Sequence, residues 1–272
     1  MDKRVIDISE NNGYIDFTKV KQDGIEKAIL RVGWIGNKNN HTIDKYFNDY
    51  YSRCKENNIK IGIYVYSYCK STTAMISACN WIFEKIKDKY IDLPIFLDLE
   101  DSSIIGTDIN NQAEYFCNFF KQKGYDVGIY ANKYWFNNYI DIQKFLDNKI
   151  WLAEWNGKEN HTFKYKVDLW QYTDKGKING ITGKVDISKC LCNCDDSTNN
   201  DGGFDMPKIY KNGSTIEKVY AESNCKTQIG MLNRYEQCEC IGIQNNRYIV
   251  KYKIDGTNNY KVGFVKYDGG VK

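Results

Sequence analysis

Eight short apolar runs, separated by segments whose apolar residues fall at helical spacing, constrain this chain more than any other feature. The runs are Val5–Ser9, Ala28–Val32, Ile61–Tyr66, Ile95–Glu100, Val127–Tyr130, Ile150–Ala153, Leu169–Tyr172 and Val185–Ile187. Their length and their content of Val, Ile, Leu and Tyr read as buried strands. A short helix is expected at Phe17–Gln22. Ile43, Tyr46, Phe47, Tyr50, Tyr51 and Cys54 form one helical stripe. Ile82, Phe83, Ile86 and Tyr90 form another after a Ser71-Thr72-Thr73 start, and Ala113, Phe116, Cys117 and Phe120 a third, ended by Gly124. A fifth helix is expected around Tyr134–Leu146. Strand, helix, strand repeated this way favours an α/β barrel of the TIM type over an open sheet, and no G-x-G-x-x-G follows the first strand to suggest dinucleotide binding. The connections 156–166 and 173–184 lack helical periodicity, so the expectation is eight strands and five helices.

A second unit follows a polar seam. Cys194 to Gly203 is acidic and Gly-containing with no apolar period, and divides the chain into residues 1–194, a linker at 195–205 and residues 206–272. From Asp205 onward the chain carries 11 basic and 7 acidic residues, net +4, whereas the part before it sums to −1. All six tryptophans precede the seam. Five strands are expected in the tail, Ile216–Tyr220, Thr227–Leu232, Cys238–Ile243, Tyr248–Tyr252 and Lys261–Val265, with turns at Asn212-Gly213, Asn245-Asn246 and Asp255-Gly256. That is a small all-β barrel.

In a parallel barrel the chemistry sits at the C-terminal strand ends. Three ends carry acids: Asp7 on the first, Asp98 and Glu100 on the fourth, Asp186 on the eighth. Side chains alternate along a strand, so Phe96, Asp98 and Glu100 share the inward face while Leu97 and Leu99 meet the helices. Closure makes the first and eighth strands neighbours and gathers four carboxylates at one rim. Carboxylates crowded in a dry pocket cannot all ionise at their solution pKa, so one is held protonated as a general acid, as glycoside cleavage requires. Glu100, with the longest reach, is the expected acid; Asp98 and Asp7 are expected to stay ionised. The bland alternative is that such aspartates cap the helices that follow. A Mg²⁺ or Ca²⁺ site is disfavoured because no phosphate loop or calcium-loop spacing adjoins them. With only two histidines, His41 and His161, imidazole-based peptidase or zinc mechanisms have little to draw on. Tyr64, Tyr66, Tyr130, Trp151, Trp170 and Tyr172 stand at strand ends, with Trp155 close by, where they stack on sugar faces or simply fill the interior. Arg31 orients the carboxylates or substrate, or forms a buried structural ion pair.

Together Val5-Ile6-Asp7-Ile8-Ser9, Ile29-Leu30-Arg31-Val32-Gly33, Gly62 to Tyr68, Phe96-Leu97-Asp98-Leu99-Glu100, Gly128 to Asn132, Trp170-Gln171-Tyr172 and Val185-Asp186-Ile187 resemble family 25 glycoside hydrolases, the Chalaropsis-type lysozymes. The resemblance covers residues 3–190. It implies a modified TIM-like barrel and hydrolysis of the β-1,4 bond between N-acetylmuramic acid and N-acetylglucosamine in peptidoglycan, without a cofactor. Glu100 matches the family's acid, and Asp98, Asp7 and Asp186 its supporting carboxylates. The attacking group stays open: the substrate's own acetamide steered by Asp98, a water, or a carboxylate. Asn11-Asn12 departs from the aromatic or Gln found in many relatives.

Ser214-Thr215, Val219-Tyr220-Ala221, Ile229-Gly230 and Lys261 to Val265 resemble a bacterial SH3-like wall-binding domain, whose positive charge suits an anionic wall polymer. No membrane span or signal peptide is evident, and nothing points to nucleic acid. The expectation is therefore an endolysin of a phage or bacterium, made in the host cytoplasm and released to the wall by another protein. The alternatives are a non-catalytic peptidoglycan-binding protein on a retained barrel, or a peptidoglycan amidase. The ten cysteines are expected to be reduced thiols. Gly202-Gly203 can be encoded by a purine-rich ribosome-binding-like stretch two codons before Met206. Translation restarting there would yield the tail alone, able to associate with the full chain; the alternative is an ordinary flexible linker.

Overall fold

The computed structural model describes residues 4–191, 208–221, 225–244, 247–254, 256–257, 259–266 and 270–271. The chain divides into two compact units, Met1–Asp195 and Asp196–Lys272. The expected linker and Met206 lie outside the described residues.

The first unit runs β1 (Arg4–Ile8), α1 (Phe17–Gln22), β2 (Lys27–Ile35), β3 (Thr42–Ile43), α2 (Phe47–Glu56), β4 (Lys60–Ser67), α3 (Thr72–Ile86), β5 (Ile95–Asp98), α4 (Ile109–Gln122), β6 (Val127–Asn132), α5 (Lys133–Asn138), β7 (Lys149–Ala153), β8 (Leu169–Gly176) and β9 (Val185–Cys190). Strands in the order β1-β9-β8-β7-β6-β5-β4-β2 close on themselves through the β1–β2 pairing, giving eight barrel strands. The short β3 folds back antiparallel on β2. It takes Ile43 out of the expected helical stripe, and α2 starts only after the Asp44 carboxylate has accepted the Tyr46 N–H (2.9 Å). Gly33 permits that hairpin: its φ is +155° and a Cβ there would lie 1.9 Å from the Thr42 carbonyl oxygen.

The sequence signals hold at other helix ends. Ser71 caps α3 by accepting the Ala74 N–H, Asp108 caps α4, and Gly124 follows α4 with φ +86°. The expected fifth helix is split. α5 stops at Asn138, and a separate 3-10 turn, Ile142–Phe145, begins where the Asp141 side chain accepts the Gln143 N–H.

One expectation fails in an informative way. The barrel is not all-parallel, because β9 runs antiparallel to both β8 and β1. Residues 177–184 join β8 to β9, a connection shorter than the dozen or so residues a parallel crossover needs. Asp186 therefore stands at the beginning of its strand rather than its end, and the reversal itself brings it to the rim where Asp7 lies. The two are register partners.

Two apolar layers result from strand alternation. Ile6, Ile8, Leu30, Ile63, Leu97 and Leu152 face outward onto the helices. Val5, Ile29, Phe96, Tyr130, Trp151 and Leu169 fill the lumen. Trp151 is its plug, 1% exposed, with ring centroids of Tyr130, Phe96 and Tyr64 at 4.5, 5.1 and 6.0 Å. Its indole donates to Ser188 Oγ at 3.0 Å, so the buried N–H is satisfied. The plug closes one end of the lumen and leaves the other open.

The second unit is an antiparallel sheet of β10 (Lys208–Lys211), β11 (Glu217–Tyr220), β12 (Gln228–Leu232), β13 (Gln237–Gln244), β14 (Arg247–Lys253), β15 (Tyr260–Val265) and β16 (Gly270–Val271), in the order β12-β11-β15-β14-β13-β10-β16. Val219, Leu232, Cys240, Val250 and Val265 form its core around Tyr210. All five expected strands are present, with β10 and β16 in addition. At the expected Asn212-Gly213 turn the buried Asn212 amide donates to the carbonyls of Thr215, Leu232 and Asn233. The expected turn residues Asn245, Asn246 and Asp255 lie outside the described residues.

Among the described cysteines, Cys54, Cys69, Cys79, Cys117 and Cys238 are free, but Cys190 is disulfide-bonded, which corrects the expectation of uniformly reduced thiols. No helix among the described residues is long and apolar enough to cross a membrane.

Candidate active site

A cavity of about 370 Å³ opens above the Trp151 plug. Asp7, Asp98, Glu100 and Asp186 all line it, together with Arg31, Tyr64, Tyr66, Tyr130 and Trp151. The four expected carboxylates thus meet in one place.

Each arrives by a distinct route. Asp7 and Asp98 point inward from β1 and β5 and are 6% and 3% exposed. Glu100 lies just past β5, which ends at Asp98 instead of continuing to Glu100 as expected. The Leu99 N–H still bonds the Tyr130 carbonyl (2.9 Å), which carries the alternation one step further and keeps Leu99 on the outer face. Asp101 is the acid that does the capping job, accepting the Ser103 N–H at the 3-10 turn Ser102–Ile104.

Burial and mutual repulsion push all four acids upward. Asp7 is raised well above the aspartate range by burial first and then by the Asp186 charge, with which it shares a side-chain hydrogen bond. That bond favours a proton on Asp7 and stabilises the charge on Asp186, whose own pKa rises only to about 6, mainly through burial. Asp98 is raised by burial, then by Glu100 and Asp7, against a lowering pull from Arg31. Glu100 is raised by burial, then by Asp186 and Asp101. Asp7 and Asp98, both expected to stay ionised, are therefore the two acids whose charged forms burial and neighbouring charge disfavour most openly. Both acids are too dry and too close to other charges.

Asp98 carries a further anomaly. Its Oδ1 is buried with no hydrogen-bond partner, whereas nearly all buried polar atoms have one. Asp98 is also among the residues that line the cavity, and a donor brought by a bound molecule would satisfy this acceptor.

Gln171 is the residue that sequence reasoning missed. Its Oε1 accepts from Tyr130 Oη and Trp155 Nε1, both at 3.2 Å, which fixes the amide so that Nε2 donates to both Asp7 oxygens at 3.2 and 3.1 Å. The signal was available. Leu169 faces the lumen, so two residues on Gln171 must face it too, and Trp170 between them must not.

The same parity corrects two expected substrate contacts. Trp170 and Tyr172 do not line the cavity. Trp170 is 2% exposed in the outer layer, its indole donating to the Glu154 carbonyl at 3.0 Å, and Tyr172 packs against that layer. Trp151 lines the cavity only as its floor. Trp155, 55% exposed, is the available aromatic platform. Asn11, Asn12 and Lys184 complete the wall. Arg31 is committed to an ion pair with the buried Asp44 (Nε–Oδ2 2.9 Å) and reaches Glu10 at 3.7 Å, while still facing the cavity.

A rim of mutually raised carboxylates above a closed barrel floor is the equipment of an acid–base hydrolase. The sequence profile of glycosyl hydrolases family 25 matches residues 6–181, and the chain belongs to that family. It is 27% identical over 186 residues to an autolytic lysozyme of Clostridium acetobutylicum, covering 68% of this chain and 54% of the relative. The modular autolysin LytC of Streptococcus pneumoniae superposes with a TM-score of 0.60 at 26% identity, over 68% of this chain and 46% of LytC. The catalytic domain of endolysin ply40 from a bacteriophage of Listeria monocytogenes shares the fold, with a TM-score of 0.62 at 24% identity over 71% of this chain and 95% of that domain. The chain spans about half the length of the first two relatives.

Proposed function

We propose that the protein is a muramidase that hydrolyses the β-1,4 bond between N-acetylmuramic acid and N-acetylglucosamine in bacterial peptidoglycan. The observation that carries this reading is the cavity with Asp7, Asp98, Glu100 and Asp186 on one rim, all pushed toward higher pKa. Glu100 holds its proton further above the usual glutamate range and delivers it to the glycosidic oxygen as the C–O bond breaks. The orphan Oδ1 of Asp98 accepts the N–H of the sugar's 2-acetamido group and turns the acetamide oxygen toward the anomeric carbon. That internal attack is favoured over attack by Asp7, both of whose carboxyl oxygens are tied to the Gln171 amide. Once the leaving sugar departs, Glu100, now ionised, takes a proton from the water that completes hydrolysis. Asp186 raises the affinity of its neighbours for protons.

Trp155 offers its face to a sugar ring beside this centre. Trp155→Ala is expected to raise KM on soluble glycan roughly tenfold, the scale of losing one stacked aromatic contact, with a smaller change in kcat. Steady-state kinetics check it. An equal loss in kcat alone would move Trp155's role to holding Gln171.

We further propose that the second unit is an SH3-like module that holds the enzyme on an anionic wall polymer, and that the protein acts as a phage-type endolysin made in the host cytoplasm and delivered to the wall. Its basic balance supports the first reading. Sedimentation of the full-length protein with purified walls is expected to weaken as salt rises. A product restarted at Met206, pairing with the full chain, is proposed with it; a short co-purifying fragment should vanish when the Gly202-Gly203 codons are silently recoded.

The glycosidase reading is tested on purified wall. New reducing ends should appear in step with solubilisation; newly freed amino groups would instead favour the amidase alternative.

A further inference from the structure

A second cavity, of about 470 Å³, lies beside the first and differs from it in chemistry. The two share a partition one aromatic layer thick. Tyr66 lines the acidic cavity and Tyr68 the second, their ring centroids 4.9 Å apart. Arg31 of the first cavity lies over the Trp34 ring of the second at 5.0 Å. Asp101 stands at this partition, accepting from Tyr66 Oη (3.3 Å) and the Ser103 N–H (2.9 Å).

The second cavity is built in advance. The Asn37 side chain spans its base, donating to the Tyr68 carbonyl at 3.2 Å and accepting the Lys70 N–H at 2.9 Å. Its outer rim is the tight 36–41 loop, in which Lys38 and Asn39 take positive φ. His41 pins that loop. Its Nδ1 accepts the Gly36 N–H (3.3 Å), so Nε2 carries the proton and donates to Ser77 Oγ on α3 (3.3 Å), which in turn donates to Asn39 Oδ1 (2.5 Å).

Among the described residues no carboxylate lines this cavity, and the one cation that does is Lys70. The Lys70 ammonium, the Asn40 amide and the Ser103 hydroxyl face solvent without a partner among the described residues, flanked by the rings of Trp34 and Tyr68. A neutral amino sugar has no need of an ammonium group. A short peptide ending in a carboxylate satisfies all these groups together: the carboxylate on Lys70, backbone amides on Asn40 and Ser103, small side chains against the two rings.

We infer that the cavity around Lys70 binds the carboxylate-bearing peptide arm of a muramic acid adjacent to the cleaved bond. The inference rests on the muramidase reading and adds that the enzyme recognises peptide as well as sugar.

The test compares kcat/KM on soluble peptide-bearing glycan chains with kcat/KM on the same chains stripped of peptide, which retain a free lactyl carboxylate. Lys70→Met is expected to lower the ratio of the two by about five- to tenfold, the scale of one lost charge-assisted hydrogen bond at a half-open site. Lys70→Arg restores most of it. An unchanged ratio overturns the inference. An equal loss on both substrates also overturns it, because Lys70 would then serve the glycan or its lactyl group. Wild-type protein inactive on both substrates fails at the level of the muramidase reading itself, and the peptide site falls with it.

Discussion

Glu100→Gln is expected to lower kcat on purified peptidoglycan roughly a hundred- to ten-thousand-fold, the range a positioned general acid contributes, while the variant still sediments with the wall. The amide keeps the shape of the side chain but has no proton to give. Glu100 is raised by burial and by the charges of Asp186 and Asp101, so the wild-type alkaline limb of kcat/KM should lie above the ordinary glutamate value. That limb should disappear from the residual activity of the variant. A variant that keeps the limb and most of its turnover would return Glu100 to the role of a bystander. Loss of wall binding with turnover of soluble chains retained would do the same.

Asp98→Asn is expected to remove turnover and yet make the barrel more stable near neutral pH. Asp98 is nearly inaccessible, has an unpartnered Oδ1, and is raised first by burial and then by Glu100 and Asp7. A carboxyl whose folded pKa exceeds its unfolded value binds its proton more tightly in the folded state. Its contribution to stability therefore falls as pH rises from the unfolded value, about 4, through the folded one. For Asp186 the corresponding window runs up to about 6. Removing the charge at position 98 should thus raise the barrel's melting temperature at pH 7 to 8. The gain should shrink toward zero below pH 4, where the wild-type carboxyl is protonated in both states. Thermal melts across pH check it. A variant less stable than wild type at pH 8 would mean that Asp98 is paired rather than strained. Storing destabilisation at a working site in this way is common in enzymes.

Strand alternation made much of the site legible in advance. It set Asp98 and Glu100 on one face and Leu97 and Leu99 on the other, and the structure keeps that division beyond the end of β5. The same alternation along β8, counted from the lumen-facing Leu169, puts Gln171 inward and Trp170 outward. The direction of β9 was legible too, in the shortness of the 177–184 connection. Other features were beyond a local reading. The coupling of Asp7 to Asp186 depends on a pairing between residues 179 positions apart in the chain. The cavity around Lys70 depends on a turn closed by His41 and Ser77, neither of which stands in a recognisable motif. Helix boundaries moved where a side chain outside the apolar period, Asp44 or Asp141, captured a backbone N–H.

The central claim is that this carboxylate rim cleaves the glycan next to muramic acid. The most direct test is to digest purified peptidoglycan with the full-length protein, reduce the new ends with borohydride, and identify the terminal sugar alcohol by mass spectrometry. Muramitol is expected at the new ends, in amounts that track solubilisation and vanish with Glu100→Gln. Glucosaminitol at the new ends, or solubilisation without any new reduced sugar, would contradict it.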